Sequence, residues 1–424
     1  MRRRKFLRNT ALAVPAAFYT PYFDLFAGSE TKRVKITDVK CIRTNIGLRV
    51  SPLVKIETDE GVFGIGECHH DENGFGAQDV VLNVIKPILL GQDPFDLERL
   101  LFKMETRTSY YGGNHGFPTH AITGVEIALW DIIGKLTNQP VYKILGGGSH
   151  VSQVRAYLSA GPKNLLDKSS CEEYAEIMNK EGWTASKVNI IRDQQWDKID
   201  NRRMSNVEID RNEKGYALLR EAVGWEFEIA VHCHWELDFD SALRLSRAVA
   251  PIRPWWIEDP MPIAFNEQWV RLTEQSQAPI LCGENLYRRA DFRPFIVNAG
   301  LSMIEIDVSM SGGLLEAKKI ADLAELYYIP VATHNVAGPI ATVASANLAA
   351  SVREFLGHEI FASNGNYFTF GSKFGVNGDP RILRYDKELV KDGYIQLSDR
   401  PGLGIELDED LVKSYLCDGE TWWD

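Results

Sequence analysis

From Val34 to Glu67 apolar and β-branched residues alternate with polar ones. Lys35-Ile36-Thr37-Asp38-Val39, Leu53-Val54-Lys55-Ile56-Glu57-Thr58 and Val62-Phe63-Gly64-Ile65-Gly66-Glu67 read as strands, with Asp59-Glu60-Gly61 turning the chain between the last two. A period of two fits a half-buried strand, so the segment predicts a three-stranded antiparallel meander. The period then lengthens. Three helical segments follow, clearest from His120 to Leu136, where Ile122, Val125, Ile127, Ala128, Trp130, Ile132 and Ile133 carry the apolar face and Pro140 and the glycines at 146–148 close the run. After Gly148 short apolar runs alternate with amphipathic helices, the pattern of βα units around a parallel sheet. The runs are Val154–Ser159, Ala185–Ile190, Glu228–Trp235, Pro254–Pro260, Pro279–Glu284, Met303–Ser309, Pro330–His334 and Glu354–Ile360. Eight such runs predict closure into a (β/α)8-type TIM barrel, an α/β fold. The expected organisation is an α+β capping domain over 29–148, a barrel over 149–367, and a C-terminal segment over 368–424 that returns to the cap.

Composition narrows the class of function. The chain has 424 residues, 45% of them hydrophobic, which accommodates a barrel of about 250 residues and a second module. A net charge of -11 argues against a general electrostatic grip on nucleic acid and suits a protein handling small molecules. Cys41, Cys68, Cys171, Cys233, Cys282 and Cys417 lie far apart with no C-x-x-C pair, so neither a zinc ribbon nor a disulfide scaffold is expected; Cys233 and Cys282 read as buried thiols. The start, Met1-Arg2-Arg3-Arg4-Lys5-Phe6-Leu7, precedes a short apolar stretch, and Arg3-Arg4-x-Phe6-Leu7 resembles a twin-arginine export signal. Pro15, Pro21 and Asp24 interrupt that stretch before the ~20 apolar residues a membrane anchor needs. Residues 1–28 are therefore expected to be a signal peptide and the protein to be exported, to the periplasm.

In a parallel barrel, side chains at the C-terminal ends of different strands converge on one mouth. The polar residues ending the apolar runs are His232 and His234, Glu258, Glu284, Asp307, His334 and Glu359. Glu258 follows His232 by 26 residues, and Glu284 follows Glu258 by the same interval, so three successive βα units set a ligand-type residue at one height. Two carboxylates with open positions suit Mg2+ or Mn2+, which prefer oxygen donors. The plainer reading of each residue alone is a solvated strand end.

Over residues 34–415 the sequence resembles the mandelate racemase group of the enolase superfamily. The resemblance is carried by the meander cap, the Gly124-Val125-Glu126-Ile127-Ala128-Leu129-Trp130-Asp131 helix, the Ile257-Glu258-Asp259-Pro260 and Gly283-Glu284-Asn285 strand ends, Asp307 with His334, and the Ser311-Gly312-Gly313-Leu314 turn. It implies a divalent metal, Mg2+ in the family, that binds the substrate carboxylate and stabilises the enediolate left when the alpha proton departs. It also implies that His334 is a base oriented by Asp307, since a carboxylate on one ring nitrogen fixes the tautomer and raises the basicity of the other. Racemases of the group carry Lys-x-Lys at the end of the second run; here the text is Lys187-Val188-Asn189, and Asn189 cannot take a proton. The nearer likeness is to the galactonate dehydratase branch, in which His234 matches the acid that expels the beta hydroxyl, Asn189 matches an asparagine, Lys187 is an electrostatic neighbour of the substrate, and Glu359 matches a carboxylate that bonds the substrate. Family members are often octamers or dimers, which implies a homo-oligomer.

One position departs from that branch: residue 232 is His where the branch has Asp. A neutral imidazole removes one negative charge from the ligand set, which weakens Mg2+ relative to Mn2+, Fe2+ or Zn2+; alternatively His232 is no ligand and water takes its place. The resemblance places Glu67, His69, His70 and Tyr110 to His115 where the cap closes over the mouth. The expected function is dehydration of a sugar acid, an aldonate or aldarate, to a 2-keto-3-deoxy acid. The alternatives are a racemase or epimerase of a 2-hydroxy acid using His334 and His234, and a barrel that binds a sugar acid without catalysis.

Overall fold

The computed structural model describes residues 33–361 and 377–423, except 114 and 149. The signal expected over 1–28 and the start of the C-terminal segment at 368 lie outside the described residues.

The meander forms as β1 (Ile36–Thr44), β2 (Ser51–Thr58) and β3 (Phe63–Glu67), paired antiparallel in that order. A helical stretch over 75–89 that includes a π-turn at Val80–Ile85, then α1 (Leu97–Thr108) and α2 (Phe117–Leu136), pack against it. Helix α2 is apolar almost all round and is buried from Pro118 to Gly134, as a helix wedged between two layers must be.

The parallel strands are β4 (Gln153–Ser159), β5 (Ala185–Asn189), β6 (Glu228–His232), β7 (Ile257–Glu258), β8 (Ile280–Cys282), β9 (Met303–Asp307), β10 (Val331–His334) and β11 (Phe355–Ile360). Each pairs with the next, and β11 pairs back onto β4 through Glu359 and Tyr157, which closes the barrel. Tyr157, Ala185, Ala230, Trp256, Leu281 and Ala332 fill its interior, two large rings against small neighbours. Side chains alternate along a strand, so two residues further on the same face are Lys187 after Ala185, His232 after Ala230, Glu258 after Trp256 and His334 after Ala332. The apolar plug therefore dictates which residues reach the mouth. Several strands are shorter than the apolar runs: β6 ends at His232, and β7 spans two residues.

The tail returns to both domains. Strands β12 (Val390–Lys391) and β13 (Tyr394–Gln396) form a hairpin whose inner strand pairs antiparallel with β4, while Arg43 of the cap holds Glu420 at 2.7 Å. All six cysteines are buried and unbridged. Among the described residues, no helix is long and apolar enough to cross a membrane.

Candidate active site

Strand register builds the site. Asn189 pairs with His232, His232 with Glu258, and Asp307 with His334. Glu284 lies beyond the last residue of β8, after Gly283, whose φ is +150°; a Cβ there would meet the Glu305 carbonyl oxygen at 1.9 Å, so only glycine permits this turn into the mouth. Trp235 and Asp259 hold φ of +54° and +46°, which places unfavourable left-handed backbone directly after His234 and Glu258.

His232, Glu258 and Glu284 converge, each offering one ligand atom within 4.8 Å of the others, and all three are buried. Nδ1 of His232 lies 3.0 Å from Oδ1 of Asn189, whereas Nε2 is buried without a hydrogen-bond partner, 3.4 Å from Glu258 and 3.9 Å from Glu284. Burial, together with His234 and Lys187, holds the ring well below its ordinary value, so Nε2 carries a lone pair. Oε2 of Glu284 also has no hydrogen-bond partner. Burial pushes Glu258 up to about 7 and raises Glu284, against the opposing pull of Lys187. Crowded carboxylates facing an unused imidazole nitrogen are what a divalent cation satisfies, so the residues fit one.

Lys187 is a buried cation beside this group, and it also lines the cavity. Its Nζ lies 2.7 Å from Glu258, 2.6 Å from Glu359 and 3.9 Å from Glu284, and burial is outweighed by these carboxylates, which hold the ammonium well above its ordinary value. Glu359 is fully buried, receives the Asn335 backbone N–H at 3.1 Å, and does not line the cavity. Trp256 adds an Nε1–H to Glu258 at 2.8 Å.

His334 and Asp307 meet at 2.7 Å through Nδ1 and Oδ2. Burial disfavours the charged ring, yet Glu284, Glu359 and Asp307 together hold it well above its ordinary value; a cation on Glu284 would cancel the first of these contributions. His234 stacks obliquely 4.0 Å from His232, and burial with Lys187 pushes it down to about 3.

A cavity of about 600 Å³ opens above these groups, lined by Lys187, Asn189, His232, His234, Glu284 and His334 from the barrel and by Arg49, His69 and His70 from the cap. Of the remaining expected cap set, Glu67, Tyr110 and His115 lie elsewhere, and residue 114 is outside the described residues. Glu67 is fully buried and accepts the backbone N–H groups of Gly338, Ile340 and Ala341 at 2.6, 3.1 and 3.1 Å, capping α10 (Pro339–Ala349). Tyr110 is 84% exposed, and His115 pairs with Asp291 away from the cavity. The loop signal identified the right region but could not distinguish residues that face the barrel helices from those that face the mouth. Arg192, Gln194 and Gln195, which line the outer cavity, had no signal beyond their place after β5.

Comparison with known proteins agrees with this architecture. Residues 32–146 match the mandelate racemase / muconate lactonizing enzyme N-terminal domain, and residues 170–411 match the enolase C-terminal domain-like family. A D-xylonate dehydratase from Haloferax volcanii is 33% identical over 88% of this chain and 87% of its own. A D-galactonate dehydratase from Pectobacterium atrosepticum is 31% identical over 87% and 92%. A solved mandelate racemase/muconate lactonizing enzyme-like protein from Rubrobacter xylanophilus superposes with a TM-score of 0.81 at 32% identity, covering 92% of this chain and 99% of that one. With both domain models matched and relatives aligned along nearly the whole length, the chain belongs to the mandelate racemase/muconate lactonizing enzyme family of the enolase superfamily.

Proposed function

We propose that the protein dehydrates a sugar acid, an aldonate or aldarate, to a 2-keto-3-deoxy acid. One observation carries the reading: the Asp307-held His334 and His234 line the same cavity as His232 and Glu284 of a candidate metal triad, while Asn189 stands where a second basic lysine would be. The xylonate and galactonate dehydratases among its relatives support the substrate class.

His334, bonded through Nδ1 to Asp307, has Nε2 to take the alpha proton. The C–H electron pair first passes onto the substrate carboxylate; its return then forms a C=C bond between the alpha and beta carbons as the beta C–O bond breaks, hydroxide leaving with a proton from His234, and the enol product tautomerises to the keto acid. His234 is neutral in the resting site, and the substrate's own carboxylate supplies negative charge that favours its protonation. His232, Glu258 and Glu284 would hold the divalent cation. When bound, it supplies electrostatic stabilisation of the charge that develops on the substrate carboxylate. Lys187 holds Glu258 and Glu359 in place and favours the ionised form of each.

Incubation with a panel of aldonic and aldaric acids in heavy water tests the reading. Dehydration gives a keto acid. Solvent deuterium at the alpha carbon without keto acid would identify an epimerase or racemase, and a thermal shift with neither product would identify a binding protein. We also propose export by the twin-arginine route, supported by Arg3-Arg4-x-Phe6-Leu7; lysine at both arginines should retain the precursor inside the cell.

A further inference from the structure

A chain of hydrogen bonds runs from the cap to the proposed base. Asp307 caps the short helix α8 (Val308–Ser311): its Oδ1 accepts the backbone N–H of Ser309 at 2.7 Å and of Met310 at 3.1 Å, and the Ser309 hydroxyl at 2.5 Å. Its Oδ2 is left for Nδ1 of His334. Ser309 Oγ in turn lies 2.7 Å from Nδ1 of His69, which the cap delivers from two residues beyond Glu67. All four side chains are buried.

The donors can be assigned. An ionised carboxylate only accepts, so the Ser309 proton points to Asp307, and the serine oxygen can then only receive. His69 must therefore donate from Nδ1 as a neutral ring, which burial and the neighbouring His70, His120 and His334 favour by holding it well below its ordinary value. Every proton in the chain is directed at Asp307. With its free lone pair occupied by His69, the Ser309 hydroxyl cannot turn away from Oδ1.

We propose that Ser309 and His69 are positioning residues for the Asp307–His334 dyad, so that the cap helps to set the orientation of the base in addition to covering the substrate. The proposal rests on His334 being that base. His69 is itself held by stacking on His70, with ring centroids 4.5 Å apart, and by the anchoring of Glu67 on α10. Ser309 does not line the cavity, which separates an effect on orientation from one on substrate contact.

The test uses the Mg2+-loaded full chain. Ser309→Ala and His69→Leu should each lower the maximal rate of alpha-proton exchange in heavy water, measured with the fastest aldonic acid of the panel, by about 10- to 100-fold, the cost of losing an orienting partner. Ser309→Ala should leave KM unchanged, Ser309→Thr should restore the rate, and the double variant should be no slower than the slower single one. The downfield Nδ1 proton resonance of His334, assigned by its loss in His334→Asn, should shift in both single variants. Losses that multiply in the double variant, or a resonance that stays in place, overturn the proposal. If no acid exchanges with the unmutated protein, the functional reading fails, and the resonance alone then decides whether the relay exists.

Discussion

Oδ1 of Asn189 and Nδ1 of His232 lie 3.0 Å apart on paired strands, and this contact determines which nitrogen of the ring faces Glu258 and Glu284. The amide oxygen accepts Nδ1–H, and the Nε2 lone pair is left toward the carboxylates.

The metal preference should follow. With imidazole in place of a third carboxylate, affinity for Mn2+ or Zn2+ should exceed that for Mg2+, and His232→Asp should strengthen Mg2+ binding by on the order of tenfold. Because burial holds His232 well below 6.5, loss of metal by the unmutated protein through protonation of this ring should set in only well below that pH. Calorimetric titration of both proteins at two pH values checks this, and identical affinities and profiles would remove His232 from the ligand set.

His334→Asn should lower alpha-proton exchange by about 10²- to 10⁴-fold, the usual contribution of a positioned base, while metal content is unchanged. Exchange followed by NMR, with metal analysis of the same sample, reads both quantities; a variant that exchanges at the original rate would refute the assignment.

His234→Asn should suppress keto-acid formation more than exchange, because the acid is needed only once the alpha proton has left. Parallel loss of both would place His234 in an earlier step, such as holding the substrate.

Much of this was legible in the chain because barrel strands are apolar runs ending in functional groups. All eight were recognisable, and Glu258, Glu284, Asp307 and His334 converge from the ends of four of them. What could not be read was partner choice at close range. Nothing in Lys187-Val188-Asn189 shows that the lysine bonds Glu258 and Glu359 while the asparagine holds His232. Glu67 and His69 were alike as polar residues at the end of the meander, yet one caps a helix and the other reaches Ser309, a difference set by chain packing across more than 200 residues of sequence.

The docking of the cap should respond to pH. Glu126 accepts the Leu314 and Leu315 backbone N–H groups at 2.8 and 2.9 Å, at the start of α9 (Leu314–Glu325), just as Glu67 does for α10. Burial outweighs those donors and lifts both carboxyls from 4.5 to about 7. The folded state then binds protons more tightly than the unfolded one, so their contribution is complete below pH 4.5 and lost as pH rises through 7. Each shift corresponds to about 3 kcal/mol. Denaturant unfolding at pH 5 and 7.5 should show a smaller pH difference for Glu67→Gln than for the unmutated protein; equal differences would mean that the carboxyl is ionised throughout.

Those two carboxylates also separate the anchoring of the cap from the lip of the cavity. They seat the cap on the helices that follow β9 and β10, the strands that carry Asp307 and His334, and a Cβ on Gly338 would collide with Glu67 at 2.3 Å. Leu48 and Arg49 reach the same cavity from the loop between β1 and β2, which makes neither of these contacts. Residues along that lip can therefore change, and with them the wall of the cavity, without disturbing the contacts that seat the cap beside Asp307 and His334.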